Sequence, residues 1–185
     1  MVWIPLMLAG CATPSFEPDG LVVLQERQGR FSVQTQSVNK PPDATQGSFV
    51  WRKLISGWQL DLKTPLGATL ARLTVTPSGA TLEQPDAPTR RAESGQALLA
   101  SILGAPVPLD ALEDWIDGRV LDDGSVTDMV RDSDNRVVSF RQFGWQVAFD
   151  RYGELGPGRI TVKGRQLDQD IDLRLVIEQP ARRGA

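Results

Sequence analysis

The stretch from residue 57 to residue 75 constrains the fold most, because its pattern predicts a β-hairpin. Apolar residues alternate with polar ones in both halves, as in strands that bury one face. The apolar positions are Trp58, Leu60, Leu62, Ala71, Leu73 and Val75. Between the halves, Pro65 presets one backbone angle of a turn and Gly67 can adopt a positive φ. This turn would hold Leu66 near its tip.

A leucine at a hairpin tip is unusual, because a surface loop has no core in which to bury an apolar side chain. This stretch alone leaves two interpretations of Leu66 open. The side chain could fold back onto the hairpin or lie beneath a neighbouring loop. Alternatively, Leu66 with Pro65 and Gly67 could form an apolar loop that enters a membrane or contacts a lipidated partner.

The rest of the chain predicts a mainly β protein with an α-helical insert. Alternating segments joined by tight turns precede residue 94 and resume after residue 124, as in an antiparallel meander. Between them, two short runs with helical spacing end at Gly104 and Gly118. A sheet of about ten strands is too large to stay flat. We therefore expect it to curl around the two helices and to leave an apolar space beside them.

Aromatic and aliphatic residues of the strands and helices would line such a space. The candidates are Phe49, Trp51, Trp58, Leu60, Trp115 and Trp145. The same residues could instead fill a solid core, which is the usual role of apolar stripes. The sequence leaves both arrangements open.

Length and composition exclude several classes of protein. The chain of 185 residues fits a single domain, predicted at 21–180 between a tether at 11–20 and a tail at 181–185. A net charge of -3 and the lack of long basic runs predict no nucleic-acid binding. With no histidine and one cysteine, the chain can build neither a Ser-His-Asp site nor an ordinary His/Cys zinc site nor an internal disulfide. We therefore expect no catalysis and no metal.

An enzyme that uses carboxylates alone is an alternative. Its nearest candidates are Asp122 with Asp123 and Asp132 with Asp134. Both pairs lie in turn-like sequences rich in Gly, Ser and Asn, where carboxylates usually bind their own backbone and face solvent. We therefore interpret them as solvated turn residues.

The first eleven residues predict a lipid anchor. Residues 1–10 form an uncharged apolar run that is too short to span a bilayer. Leu8-Ala9-Gly10-Cys11 matches the bacterial lipoprotein signal, in which cleavage before the cysteine leaves its thiol to be acylated. A chance cysteine after a buried strand is the alternative. Because secretory signals begin with a basic segment and no Lys or Arg precedes Arg27, we expect the natural start to lie upstream.

Several short motifs follow this signal in a particular order. They are Gly29-Arg30-Phe31, Phe49-Val50-Trp51, Leu62-Lys63-Thr64-Pro65-Leu66-Gly67, Pro106-Val107-Pro108-Leu109, Trp115-Ile116-Asp117-Gly118, Gly144-Trp145-Gln146-Val147 and the alternating strand Ile171 to Ile177. No single motif is decisive. In this order and over nearly the whole mature chain, they resemble the LolB family of outer-membrane lipoprotein receptors.

The resemblance implies an incomplete antiparallel β-barrel of about ten or eleven strands, covered by short helices over an apolar cavity. It implies a monomeric, cofactor-free receptor that takes lipoproteins from the periplasmic carrier LolA and releases their acyl chains into the outer membrane, where Cys11 anchors it. Leu66 matches the family's protruding loop, whose leucine matters for membrane insertion. The alternative is an envelope lipoprotein of the same architecture that senses lipid or a partner without passing cargo on.

Overall fold

A computed structural model describes four stretches of the chain, residues 22–38, 40–120, 124–166 and 168–180. The predicted signal, tether and tail lie outside these residues, and so does the acylation of Cys11. Asp122 and Asp123, the first of the two carboxylate pairs, also lie outside them.

The described part of the chain contains eleven strands and two helices, joined by turns and loops. The strands are β1 Val23–Ser37, β2 Asp43–Leu54, β3 Gly57–Lys63, β4 Thr69–Thr76, β5 Gly79–Gln84, β6 Ala87–Ala92, β7 Thr127–Arg131, β8 Val137–Gln142, β9 Trp145–Asp150, β10 Arg159–Gln166 and β11 Gln169–Ile177. The helices are α1 Gly95–Leu103 and α2 Leu109–Trp115. The predicted mainly β fold with a helical insert is confirmed.

All of these strands belong to one antiparallel sheet, in the order β6-β5-β4-β3-β2-β1-β11-β10-β9-β8-β7. Neighbours along the chain pair through hairpins, while β1 pairs with β11 and joins the two halves of the sheet. The strands β6 and β7 are the two edges. Within the described stretches, the sheet therefore remains open, as expected of an incomplete barrel.

The first strand is longer than its pattern predicts. The clear alternation around Phe31 and Val33 predicts a strand of about seven residues, whereas β1 has 15. Gln25 and Arg27 interrupt the alternation in its first half. Both contact Asp117, which follows α2: the Gln25 amide donates to its carboxylate at 2.7 Å, and the Arg27 guanidinium lies 3.1 Å away. These distant partners bind the Gln25 amide and balance the Arg27 charge, so two polar residues that weaken the local strand pattern can lie in β1.

The helix α1 begins and ends at the residues that the sequence indicates. Ser94 holds the N-cap position, although its side chain makes no capping hydrogen bond. Gly104 ends the helix with φ of +72°, and its N–H donates to the Ala100 carbonyl at 2.9 Å. The apolar face of α1 packs against β4, β5 and β6. In the described stretches, neither helix is long and apolar enough to cross a membrane.

The contacts of α2 show that the sheet curls. Glu113 pairs with Lys53 of β2 at 3.4 Å, and the Trp115 ring centroid lies 5.7 Å from that of Phe140 in β8. Five strand spacings separate β2 from β8 in the sheet order, which would be about 24 Å in a flat sheet. A seven-residue helix reaches both strands because the sheet wraps around it.

Candidate functional site

An apolar cavity of about 40 Å³ lies between the sheet and the two helices. Its described lining is entirely apolar and consists of Phe31, Phe49, Trp51, Leu60, Leu62, Leu99, Leu103, Val107, Leu109, Leu112, Ile116, Leu173 and Leu175. This volume would hold about three water molecules. It is far too small for an acyl chain of about fourteen carbons. The wall has the apolar chemistry of a hydrocarbon-binding site, but the space within it is too small for an acyl chain.

Three of the six candidate lining residues lie on this wall. Phe49, Trp51 and Leu60 come from β2 and β3, where alternation places them on the inner face. Trp58, Trp115 and Trp145 are also buried, but they do not line the cavity. Alternation predicts which face of a strand is buried, and it contains no information about which buried residues border a void.

The other three tryptophans occupy filled parts of the core. Trp58 stacks on Trp51, with ring centroids 4.5 Å apart. Trp115 donates its indole N–H to the Gln142 side chain at 3.1 Å. Trp145 covers Gly164, where an added Cβ would lie 2.5 Å from its ring. These residues support the structure around the cavity and do not form its surface.

Lining residues other than the six sequence-based candidates come mainly from the helices and from the last strand. In β11, Leu173 and Leu175 line the cavity, and the period-two pattern of that strand predicts an inner face. Val107, in the connector between the helices, is completely buried against it. Because Val107 lies between two prolines and outside any strand or helix, no periodic pattern predicts that it lines the cavity.

Ion pairs attach the end of α2 to the sheet. Arg27 of β1 lies 3.1 Å from Asp117, and these two side chains are only 12% and 11% exposed. Lys53 of β2 lies 3.4 Å from Glu113. Both ion pairs therefore connect the C-terminal half of α2 and the residues after it to the strands β1 and β2.

The predicted hairpin is formed by β3 and β4, and its tip projects into solvent. The Gly67 N–H donates to the Thr64 carbonyl at 2.9 Å, and the Thr64 N–H donates to the Ala68 carbonyl at 2.8 Å. Gly67 has φ of +87°, which gives a short loop ending in a left-handed glycine. Leu66 is 98% exposed. It therefore does not fold back onto the hairpin.

A buried ion cluster crosses the outer face of the same hairpin. The Arg72 guanidinium donates twice to Asp61, its cross-strand partner, at 2.6 and 2.9 Å. Arg52 of β2 donates to the same carboxylate at 2.6 Å. Burial by itself would raise the pKa of Asp61, but the hydrogen bonds from Arg72 and Arg52 outweigh it and keep that pKa below its ordinary value of 3.8. The charged cluster thus joins β2, β3 and β4 below the tip.

The second carboxylate pair has a structural role. Asp132 accepts hydrogen bonds from the backbone N–H groups of Asp134 and Arg136, both at 2.9 Å. The Arg136 guanidinium binds both carboxylates, and its hydrogen bond to Asp132 lowers the pKa of that side chain. These residues stabilise the β7–β8 turn, as the sequence predicts. Within the described stretches, no group of three or more His, Cys, Asp or Glu side chains could hold a metal.

Nearly the whole described domain matches one family model. That model, described as outer membrane lipoprotein LolB, covers residues 25–179. The chain belongs to the LolB family. The match includes the cavity wall, the β3–β4 hairpin and both helices, so the resemblance found in the motifs is confirmed.

Individual relatives of the LolB family match over nearly their full length. The outer-membrane lipoprotein LolB of Bordetella petrii is 38% identical over 94% of this chain and 88% of the relative. That of Cupriavidus necator is 34% identical over 94% of this chain and 91% of the relative. Among solved structures, a LolA superfamily protein from Nitrosomonas europaea aligns with a TM-score of 0.39 and 11% identity over 84% of this chain and 87% of that one.

Membership of the LolB family confirms the predicted outer-membrane lipoprotein. It places the protein in lipoprotein localisation and in a family that is not known for catalysis.

Proposed function

We propose that this protein is a receptor that accepts lipidated proteins from LolA and inserts them into the outer membrane. The observation that supports the proposal is the wall of the cavity, which combines apolar side chains from β1, β2, β3, β11 and both helices. A wall without hydrogen-bonding groups favours hydrocarbon and disfavours polar ligands, whose desolvation it cannot compensate.

The chemistry of the cargo explains why a receptor is needed. A triacylated cysteine carries three chains of about fourteen methylenes, and at about 0.8 kcal/mol each these cost on the order of 30 kcal/mol to expose to water. Free diffusion between membranes is therefore negligible. Transfer through a continuous apolar path changes no covalent bond, so it needs neither a nucleophile nor a nucleotide.

Cargo entry requires the cavity to expand. The helices α1 and α2 form one side of it, through Leu99, Leu103 and Leu112. Displacement of α2 would open the space and would break the ion pairs from Arg27 to Asp117 and from Lys53 to Glu113. With α2 docked on the sheet, the helices thus shield much of the apolar wall from water. In the open form, bound acyl chains would cover that wall and offset the cost of breaking the two ion pairs.

Weakening the attachment of α2 should accelerate probe binding. Asp117→Asn removes the charge that pairs with Arg27 of β1 and with Arg119, but its amide oxygen can still accept hydrogen bonds. The attachment should weaken by about 1 kcal/mol, so binding of an apolar fluorescent probe should become about fivefold faster. Stopped-flow quenching of tryptophan emission would measure this, since Trp51 lines the cavity. Asp114→Asn is the matched control. Asp114 pairs with Arg119, as Asp117 also does, but its ion pair does not involve strand β1. Equal rates in Asp117→Asn and wild type would contradict the proposed opening.

Release depends on the hairpin tip and on the anchor. Acylation of Cys11 would keep the protein at the outer membrane, while Leu66 would enter the lipid next to the cavity. Burial of one leucine contributes only about 1.5–3 kcal/mol, which cannot anchor a protein but can orient one that is already anchored. Net transfer requires that the cargo binds the receptor more favourably than LolA and the bilayer more favourably than the receptor.

An exchange assay tests the proposed function. A labelled lipoprotein bound to purified LolA is mixed with this protein and then with vesicles, and the label is followed through both steps. We expect cargo to move to this protein and then to the vesicles without ATP. Binding of acyl chains without onward delivery would instead identify a lipid-sensing lipoprotein.

A further inference from the structure

The turn between β8 and β9 holds an aromatic residue in an unusual backbone conformation. Phe143 has φ of +52° and Gly144 has φ of +79°, which makes this two-residue loop a type I′ turn, in which Asn-Gly is favoured. Four other described non-glycine residues have positive φ. Asp128, Asn135 and Asp168 are residue types that tolerate it, whereas Arg151, like Phe143, is not. The backbone of the turn therefore does not account for a phenylalanine.

Packing does not account for Phe143 either. Its side chain is 55% exposed, although the residues on both sides of the turn, Gln142 and Trp145, are buried. A Cβ added to Gly144 would meet no atom within 4 Å. The same is true of Gly67, which follows Leu66 at the other hairpin tip. In both turns, an exposed apolar residue precedes a left-handed glycine in open space.

The strand register places these two tips at the same end of the sheet. Gln146 of β9 pairs with Lys163 of β10, and the register continues through β11 and β1 to the beginning of β2. The end of β3 pairs with Ser48 in that first half of β2. The β8–β9 turn with Phe143 and the β3–β4 turn with Leu66 therefore lie at the same end of the strands, at levels four residues apart along β2. Ile55 lies in the β2–β3 turn at the opposite end.

We propose that Phe143 is a second membrane-contacting residue, which enters the lipid bilayer on the same side as Leu66. A bilayer accepts an isolated apolar side chain without a matching pocket, whereas a specific protein interface needs a complementary patch of about 1,000 Å² in total. The tips are on non-adjacent hairpins, so two contacts would fix the tilt of the protein, which one contact leaves free. The inference rests on the proposed function, because that function directs this end of the sheet towards the membrane.

Site-specific labelling tests the inference in the full acylated chain, purified from bacterial membranes. With Cys11 acylated, the cysteines of F143C, L66C and I55C can each be labelled with the fluorophore NBD, and unsubstituted protein controls for residual labelling. The labelled proteins are reconstituted into vesicles of phosphatidylethanolamine and phosphatidylglycerol. We expect a several-fold rise in emission, and quenching by doxyl lipids, at positions 143 and 66 but not at position 55.

Each outcome distinguishes the role proposed for Phe143 from the role proposed for Leu66. If position 66 is quenched and position 143 behaves like position 55, the role of Phe143 is wrong while the role of Leu66 remains. If position 143 alone is quenched, Phe143 is supported and the proposed release tip is wrong. If position 143 becomes protected only when LolA is added, the contact is with the carrier and the bilayer proposal is overturned.

A stability measurement tests the role of the turn itself. Phe143→Asn places a favoured residue at the positive φ, so the Tm should rise by about 2–4 °C. When the same substitution is combined with L66C, doxyl quenching of the label at position 66 should decrease, because one of the two lipid contacts is removed. A lower Tm would mean that Phe143 packs in the folded protein, and it would overturn the proposal.

Discussion

Replacement of Leu66 by glutamate should slow the release of cargo into vesicles by about tenfold or more. The leucine would contribute about 1.5–3 kcal/mol on entering lipid, and each 1.4 kcal/mol corresponds to a factor of about ten. A glutamate adds the cost of bringing a charge towards hydrocarbon. Release is measured as the rate at which a labelled lipoprotein leaves the receptor for vesicles.

Folding and cargo uptake should be unaffected in Leu66→Glu. The side chain is 98% exposed, and surface substitutions of this kind usually change the free energy of unfolding by less than about 0.5 kcal/mol. Ile55→Glu is the matched control, because Ile55 is 70% exposed in a turn at the opposite end of the sheet. Release at the wild-type rate from Leu66→Glu would show that the tip has no part in insertion.

The second large effect concerns the ion cluster that joins β2, β3 and β4. Asp61→Ala should lower the free energy of unfolding by about 3–5 kcal/mol, because it removes the carboxylate that Arg52 and Arg72 share in a largely buried site. Arg52 keeps its ion pair with Glu26, at 2.8 Å. Urea unfolding measures the change. Asp172→Ala is the control, since Asp172 also pairs across strands, with Lys163 at 3.1 Å, but in a more exposed position. Its cost should be about 1 kcal/mol or less.

The effect of Asp61→Ala should depend on pH in a defined direction. The pKa of Asp61 is lower in the folded protein than its ordinary value of 3.8, so its contribution is fully present above that value. It decreases as the pH falls through the folded-state pKa. The stability difference between wild type and Asp61→Ala should therefore be constant near neutral pH and shrink below about pH 4. A difference that stays unchanged in acid would show that the carboxylate charge is not what stabilises the cluster.

Local patterns predict much of this fold because strands and turns depend on nearby residues. The alternation from residue 57 to residue 75, with Pro65 and Gly67 between its halves, specifies both the hairpin and the position of Leu66. The motif order predicts the family. Opposite charges at Asp61 and Arg72 are visible in the sequence, but their cross-strand pairing becomes evident only in the register.

The sequence by itself determined a mainly β chain, its helical insert and an apolar hairpin tip, since each depends on residues close together in the chain. Only the tertiary structure decided which apolar residues border a cavity. Trp51 and Trp58 have the same inward alternation, yet Trp51 lines the space and Trp58 stacks behind it. Likewise, Arg27 lies in a long β1 because β1 pairs with β2 at this position and Asp117 balances its charge after folding. Contacts between residues far apart in the chain set the volume and the closure of the cavity, and no local pattern encodes them.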